Sequence, residues 1–125
     1  MEDQDIDYFF DTYAVIEIIA GNSAYHNFTS KPPTITIFNL SEIYFIALKK
    51  LGEVKANEIY NEYFQCVVEI SEEVLKGAMK FKLENNKKRL SYADCIGYIY
   101  SIRNKMKFLT GDKEFRGLKN VEFVK

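Results

Sequence analysis

Histidine occurs once in the 125 residues and cysteine only twice. A tetrahedral zinc site draws on four nitrogen, sulfur or carboxylate ligands, usually His and Cys, so this supply argues against one. His26 lies in a polar, loop-like stretch, which gives a Ser-His-Asp triad a poor base. Cys66 and Cys95 are far apart, each in an apolar context, the pattern of core thiols in a reducing compartment. No stretch approaches the roughly 18 apolar residues of a membrane-spanning helix. The start, Met1-Glu2-Asp3-Gln4-Asp5, is acidic where a secretory signal carries positive charge, so the expected location is cytoplasmic. Prolines are limited to Pro32-Pro33, and neither an internal repeat nor a low-complexity tail is present. An excess of base is also missing. With 17 Lys and Arg against 18 Asp and Glu, the net charge is −1, which taken alone argues against a partner made of phosphates.

What is there is a globular composition, 47% apolar and 28% charged, expected to form a single domain over residues 1–125. Its charge is segregated. Residues 1–30 carry six acids and no Lys or Arg, whereas residues 76–125 carry thirteen bases and five acids. Such a chain can present an acidic site and a basic surface together.

Hydrophobic patterning predicts short strands at 6–10, 34–37, 66–70, 107–110 and 121–124. Helices are expected over 12–20, 39–51 and 53–64, with two more opening at Ser71 and Ser91. Strands that are apolar runs, alternating with helices, predict a three-layer α/β/α sandwich around a parallel sheet of about five strands. Ligands in such sheets bind beyond the carboxyl ends of the strands, where strand order switches.

Four acids fall near that edge. Asp11 ends I-D-Y-F-F-D, and Asp112 follows F-L-T-G. Glu42 and Asp94 lie in predicted first turns of helices. Each has an ordinary reading as well. Asn39-x-x-Glu42 and Ser91-x-x-Asp94 resemble capping boxes, Asp11 suits a helix cap, and Gly111-Asp112 suits a turn. Two details favour a site. Phe45 and Ile46 follow Glu42 at i+3 and i+4, so its side of the helix is no plain solvated face. Gly97 and Ser101 leave room above Asp94. Carboxylates gathered together repel unless a cation offsets them, and Mg²⁺ takes a few carboxylates plus water and phosphate. Phosphoryl transfer is the chemistry that suits such a site.

Tyr8-Phe9-Phe10-Asp11-Thr12, Leu40-Ser41-Glu42-Ile43, Leu90-Ser91-Tyr92-Ala93-Asp94-Cys95 and Phe108-Leu109-Thr110-Gly111-Asp112-Lys113-Glu114-Phe115 together resemble the PIN-domain family, the fold of VapC-type toxins. The resemblance covers nearly the whole chain. It implies a sheet ordered 3-2-1-4-5 and a Mg²⁺- or Mn²⁺-dependent endoribonuclease leaving a 5′-phosphate and a 3′-hydroxyl. Asp11, Glu42, Asp94 and Asp112 would be its ligands, Thr110 the hydroxyl beside the metal, and Glu114 a supporting carboxylate. A homodimer and a small antitoxin partner are implied as well. Tyr13 departs from the Asn or Ser often found there.

Setting the four acids aside leaves the chain with three more bases than acids, which reverses the first impression from the net charge. Lys113 and Arg116 flank Asp112 and are the expected RNA-backbone contacts. The other basic groups read first as a solvated face. Two rivals fail on sequence. A phosphoacceptor receiver needs an Asp after strand three, where Glu69-Ile70-Ser71 stands, and an Asp-x-Asp phosphatase needs a second acid where Tyr13 stands. A non-catalytic module on the same fold, and a housekeeping RNA-processing role in place of a toxin, remain open.

Overall fold

The computed structural model describes residues 6–125, so the acidic start at 1–5 lies outside the described residues. Three parallel strands, β1 (Tyr8–Phe10), β2 (Lys107–Thr110) and β3 (Val121–Phe123), lie side by side in the order β1-β2-β3. Among the described residues, five helices pack around them: α1 (Thr12–Ile19), α2 (Ile37–Leu51), α3 (Glu53–Phe64), α4 (Glu72–Glu84) and α5 (Tyr92–Arg103). Short 3₁₀ turns occupy Ser23–Phe28 and Lys113–Phe115.

The period of two along each strand divides the core. Phe9 and Phe108 face one cluster, with Val74 and Ala78 of α4 and Cys95, Ile96 and Tyr98 of α5. Their neighbours Phe10 and Leu109 face the other, with Ala14 and Val15 of α1, Leu40 and Ile43 of α2 and Tyr63 of α3. The sheet is covered on both faces, which is why its strands are apolar runs rather than alternations.

Among the described residues, the predicted sheet of about five strands is corrected to three. Segments 34–37 and 66–70 meet only in an isolated parallel bridge, Ile35 with Val67. Thr36 caps α2, which starts at Ile37, and Pro32 and Pro33 have no N–H to give a ladder. That leaves Thr34 and Ile35 to pair. The Phe10 amide donates to Thr34 O (2.9 Å), and the Val68 amide to Ile35 O (2.8 Å). The two segments therefore flank β1 on the side predicted for them without forming strands.

A second correction concerns α2. It begins two residues before the predicted position, and its capping box is Thr36 with Asn39, not Asn39 with Glu42. Glu42 accordingly sits in the second turn, free of a capping role. The box of Ser91 with Asp94 is present on α5. Among the described residues, no helix is long and apolar enough to cross a membrane.

A candidate metal centre at the carboxyl edge of the sheet

Asp11 follows β1 and is 1% exposed. It caps α1, with Oδ1 accepting from the Thr12 amide (2.9 Å), while Oδ2 accepts from the Thr110 hydroxyl (2.7 Å). Thr110 ends β2, and its Oγ1 in turn accepts from the Asp112 amide (3.0 Å). One hydroxyl thus ties two acids from adjacent strand ends into one geometry. Asp112 Oδ1 accepts from the Glu114 amide (3.0 Å), within the 3₁₀ turn after β2.

Asp94 arrives from α5. Its Oδ2 accepts from the Ser91 amide (2.8 Å), and Ser91 Oγ accepts from the Asp94 amide (3.0 Å). The depth of α5 against the sheet depends on Gly97. A Cβ there would lie 2.5 Å from Cε1 of Phe9. The space beside Gly97 is therefore filled by Phe9 of β1, so the room expected above Asp94 does not come from this glycine. The Ser101 hydroxyl is also taken up, donating to Tyr98 O (2.6 Å) and accepting from Asn120 Nδ2 (3.4 Å).

The result is that Asp11, Asp94 and Asp112 each offer a carboxylate oxygen within 4.8 Å of the other two. The ion pairs among the described residues include none of them. Burial, followed by the charge of Asp94, pushes the Asp11 carboxyl well above the usual carboxylate range. Burial chiefly raises Asp94 as well, with Glu42 adding to it, against the lowering effect of the Ser91 amide. Three hard oxygen donors, two of them buried and none ion-paired among the described residues, fit a divalent cation of the Mg²⁺ or Mn²⁺ kind.

Residues 8–121 match the sequence model of the PIN domain. The chain belongs to the PIN-domain family. No curated protein matches it in sequence. Solved structures share the fold. Mycobacterium tuberculosis VapC20, described as a sarcin-ricin loop cleaving toxin, superposes with a TM-score of 0.73 at 18% identity, covering 95% of this chain and 100% of that one. A toxin–antitoxin complex from Klebsiella pneumoniae gives 0.71 at 17% identity, covering 93% and 96%. DNA-bound VapBC from Salmonella typhimurium gives 0.70 at 13% identity, covering 94% and 96%.

The remaining sequence candidates of this PIN domain fall into two groups. Glu42 stands across a groove from Asp94, with Phe45, Ile46 and Arg89 also lining it, and its Oε1 accepts from the Thr12 hydroxyl at 2.6 Å. Glu114 points elsewhere. Its Oε1 accepts from the Arg89 amide (3.3 Å), and its backbone carbonyl accepts from Lys88 Nζ (3.2 Å). Lys113 and Arg116 are exposed and share a shallow groove with Asp112, Tyr13 and Phe123. The Arg116 guanidinium lies 4.6 Å from the Phe123 ring centre. Tyr13 packs where any side chain at Gly111 would stand, with Cε1 2.5 Å from such a Cβ.

Three buried polar residues beside the site have no site role in the sequence reading, where Asn39 figures as a helix cap and Thr12 only within the Asp11 motif: Thr36, Asn39 and Thr12 are 0%, 0% and 7% exposed. The signal for them was present. Thr36-x-x-Asn39 is a capping pattern one turn ahead of Asn39-x-x-Glu42, and a buried Asn needs partners.

Proposed function

We propose that this PIN domain is a Mg²⁺- or Mn²⁺-dependent endoribonuclease and the toxin of a VapBC-type toxin–antitoxin pair, acting in the cytoplasm. The observation that carries the reading is the meeting of Asp11, Asp94 and Asp112 within 4.8 Å, none of them ion-paired among the described residues. Asp11, Asp94, Asp112 and Glu42 are the residues that would hold the metal. A divalent ion bound there supplies a nucleophile at neutral pH and offsets charge on the phosphate.

The chain's own residues do the rest. Thr110 fixes the orientation of Asp11 through its hydroxyl and of Asp112 through that residue's amide. Glu114, turned to Arg89, supports the loop before α5 rather than the three-acid cluster. Lys113 and Arg116, exposed beside Asp112, draw the RNA backbone towards an otherwise acidic edge. The sarcin-ricin loop cleavage described for VapC20 favours RNA as the substrate.

Partners are proposed on the same footing. Phe45, Leu51, Val54 and Phe64 of α2 and α3 are 60%, 51%, 75% and 54% exposed. Apolar surface of this kind suits cover by an antitoxin or by a second copy in a homodimer. The deciding experiment is RNA cleavage with Mg²⁺ or Mn²⁺. Wild type should cut, while wild type in EDTA and the Asp94→Asn variant should not. Full activity in either control would overturn the assignment. Removing Lys113 and Arg116 should weaken RNA binding and flatten its dependence on salt, and an unchanged slope would count against that contact.

A further inference from the structure

A chain of hydrogen bonds, buried up to its last, part-buried link, runs from the N-terminus of α2 to Glu42, and its direction is fixed. The Thr36 backbone amide donates to Asn39 Oδ1 (2.9 Å). A backbone N–H can only donate, so the atom it meets is the amide oxygen, and the orientation of the Asn39 side chain is settled. The Thr36 hydroxyl donates to the same oxygen (2.9 Å). Asn39 Nδ2 then faces Thr12 Oγ1 at 3.1 Å and must donate to it. With a lone pair committed to Asn39, Thr12 directs its own hydrogen to Glu42 Oε1, 2.6 Å away.

We propose that Thr36, Asn39 and Thr12 form a one-way relay that aims Glu42 at the metal centre, with Asn39 and Thr12 as positioning residues. The inference rests on the nuclease reading above and adds to it the means by which the fourth acid is held. Helix capping explains only part of the chain. The box on α2 is complete with Thr36 and Asn39 alone, and neither the Asn39–Thr12 bond nor the Thr12–Glu42 bond satisfies a backbone group. Thr12 is also the junction of two acids. Its amide donates to Asp11 Oδ1 while its hydroxyl donates to Glu42, so one residue sets the spacing between the β1 edge and α2. A single oxygen of Glu42 is taken up by the relay, leaving the carboxylate a second oxygen for a cation.

The test is Mn²⁺ binding to the full chain, measured by calorimetry, with folding of each variant checked by thermal unfolding in EDTA. Thr12→Val keeps the shape and loses the hydroxyl, and Mn²⁺ affinity should fall about tenfold, as when a group orienting a ligand is lost. Thr12→Ser restores the hydroxyl and should bind within about twofold of wild type, a rescue that packing alone does not give. Asn39→Asp leaves Thr12 in place but puts an acceptor where Nδ2 was. The Thr12 hydrogen can then turn away from Glu42, and affinity should again drop about tenfold. Wild-type affinity in folded Thr12→Val or in folded Asn39→Asp would overturn the relay. Should Thr12→Val fail to fold, Asn39→Asp and Thr12→Ser decide. A wild type that binds no Mn²⁺, or an Asp94→Asn variant that binds it equally well, would overturn the nuclease reading and this inference with it.

Discussion

The five acids at the carboxyl edge divide into two sets. Asp11, Asp94 and Asp112 converge, and the hydrogen bonds they receive come from groups within a few residues or from Thr110 at the end of the neighbouring strand. Glu42 and Glu114 are longer, and each is held by a donor at a distance in sequence, Thr12 for one and the Arg89 amide for the other. The short acids have few rotamers and sit where strand ends and helix starts deliver them. The glutamates need a second element to aim them, and the element decides the outcome. Thr12 holds Glu42 on the groove it shares with Asp94, whereas the Arg89 amide holds Glu114 at the loop before α5.

If this division is functional, the largest effect belongs to the convergent set. Asp94→Asn keeps an oxygen for the Ser91 amide, so the cap survives while the charge does not. Its loss of Mn²⁺ affinity should exceed the roughly 10–100-fold expected when an orienting partner is removed. Calorimetry checks this, and affinity near wild type would erase the difference between the two sets.

Second in size is a pH effect on the metal-free protein. The folded pKa of Asp11 lies above its ordinary value of 3.8, chiefly through burial, and that of Asp94 is raised as well. Across the window from 3.8 upwards to the raised values, the folded state holds protons that the unfolded chain releases. Stability from this source is therefore present below the window and lost as pH rises through it. In EDTA at about pH 8, Asp94→Asn should melt several degrees above wild type, at about 4 °C per kcal/mol for a chain of this length, and the gap should close towards about pH 4. A constant gap would mean that the repulsion within the convergent set is not what the substitution relieves. Saturating Mn²⁺ should raise the wild-type melting temperature and leave that of the variant in place.

How legible these sets were in the sequence follows from what specifies them. Asp11, Asp94 and Asp112 are fixed by local rules. Each follows a strand or opens a helix, and the helix boundaries at Ser71 and Ser91 were readable from caps and apolar spacing. The 34–37 and 66–70 segments read as strands because Val, Ile and Thr carry strand propensity even where a nearby cap ends the pairing. The same cap hid the relay. Placing the start of α2 at Asn39 made that residue a cap and Glu42 its capping-box partner, although Asn39 is a fully buried link between two elements. Long-range partners leave no fixed spacing behind. Thr12 and Glu42 are 30 residues apart, and Arg89 and Glu114 are 25 apart.

Between the two sets stands Thr110, which belongs to neither yet touches two of the convergent acids. Thr110→Val should leave Asp11 without a side-chain donor to its Oδ2 and the Asp112 amide without its acceptor. Mn²⁺ affinity should fall by about tenfold, the range for an orienting group, with Thr110→Ser recovering it. No loss would mean that the strand ends alone set the spacing of the two acids.

The smallest effect is expected at Glu114, and it separates the glutamates from each other. Glu114→Gln keeps an acceptor for the Arg89 amide and removes only charge. Because that carboxylate is directed at the loop before α5 and not at the three-acid cluster, Mn²⁺ affinity should stay within about twofold of wild type. Stability should change by no more than about 0.5 kcal/mol, the modest end for a single hydrogen bond near the surface. Glu42→Gln makes the counterpart. It too preserves an acceptor, here for Thr12, yet it removes a charge facing Asp94, and affinity should drop by about tenfold. Equal responses from the two glutamine variants would show that the second element holding each glutamate is not what assigns its role.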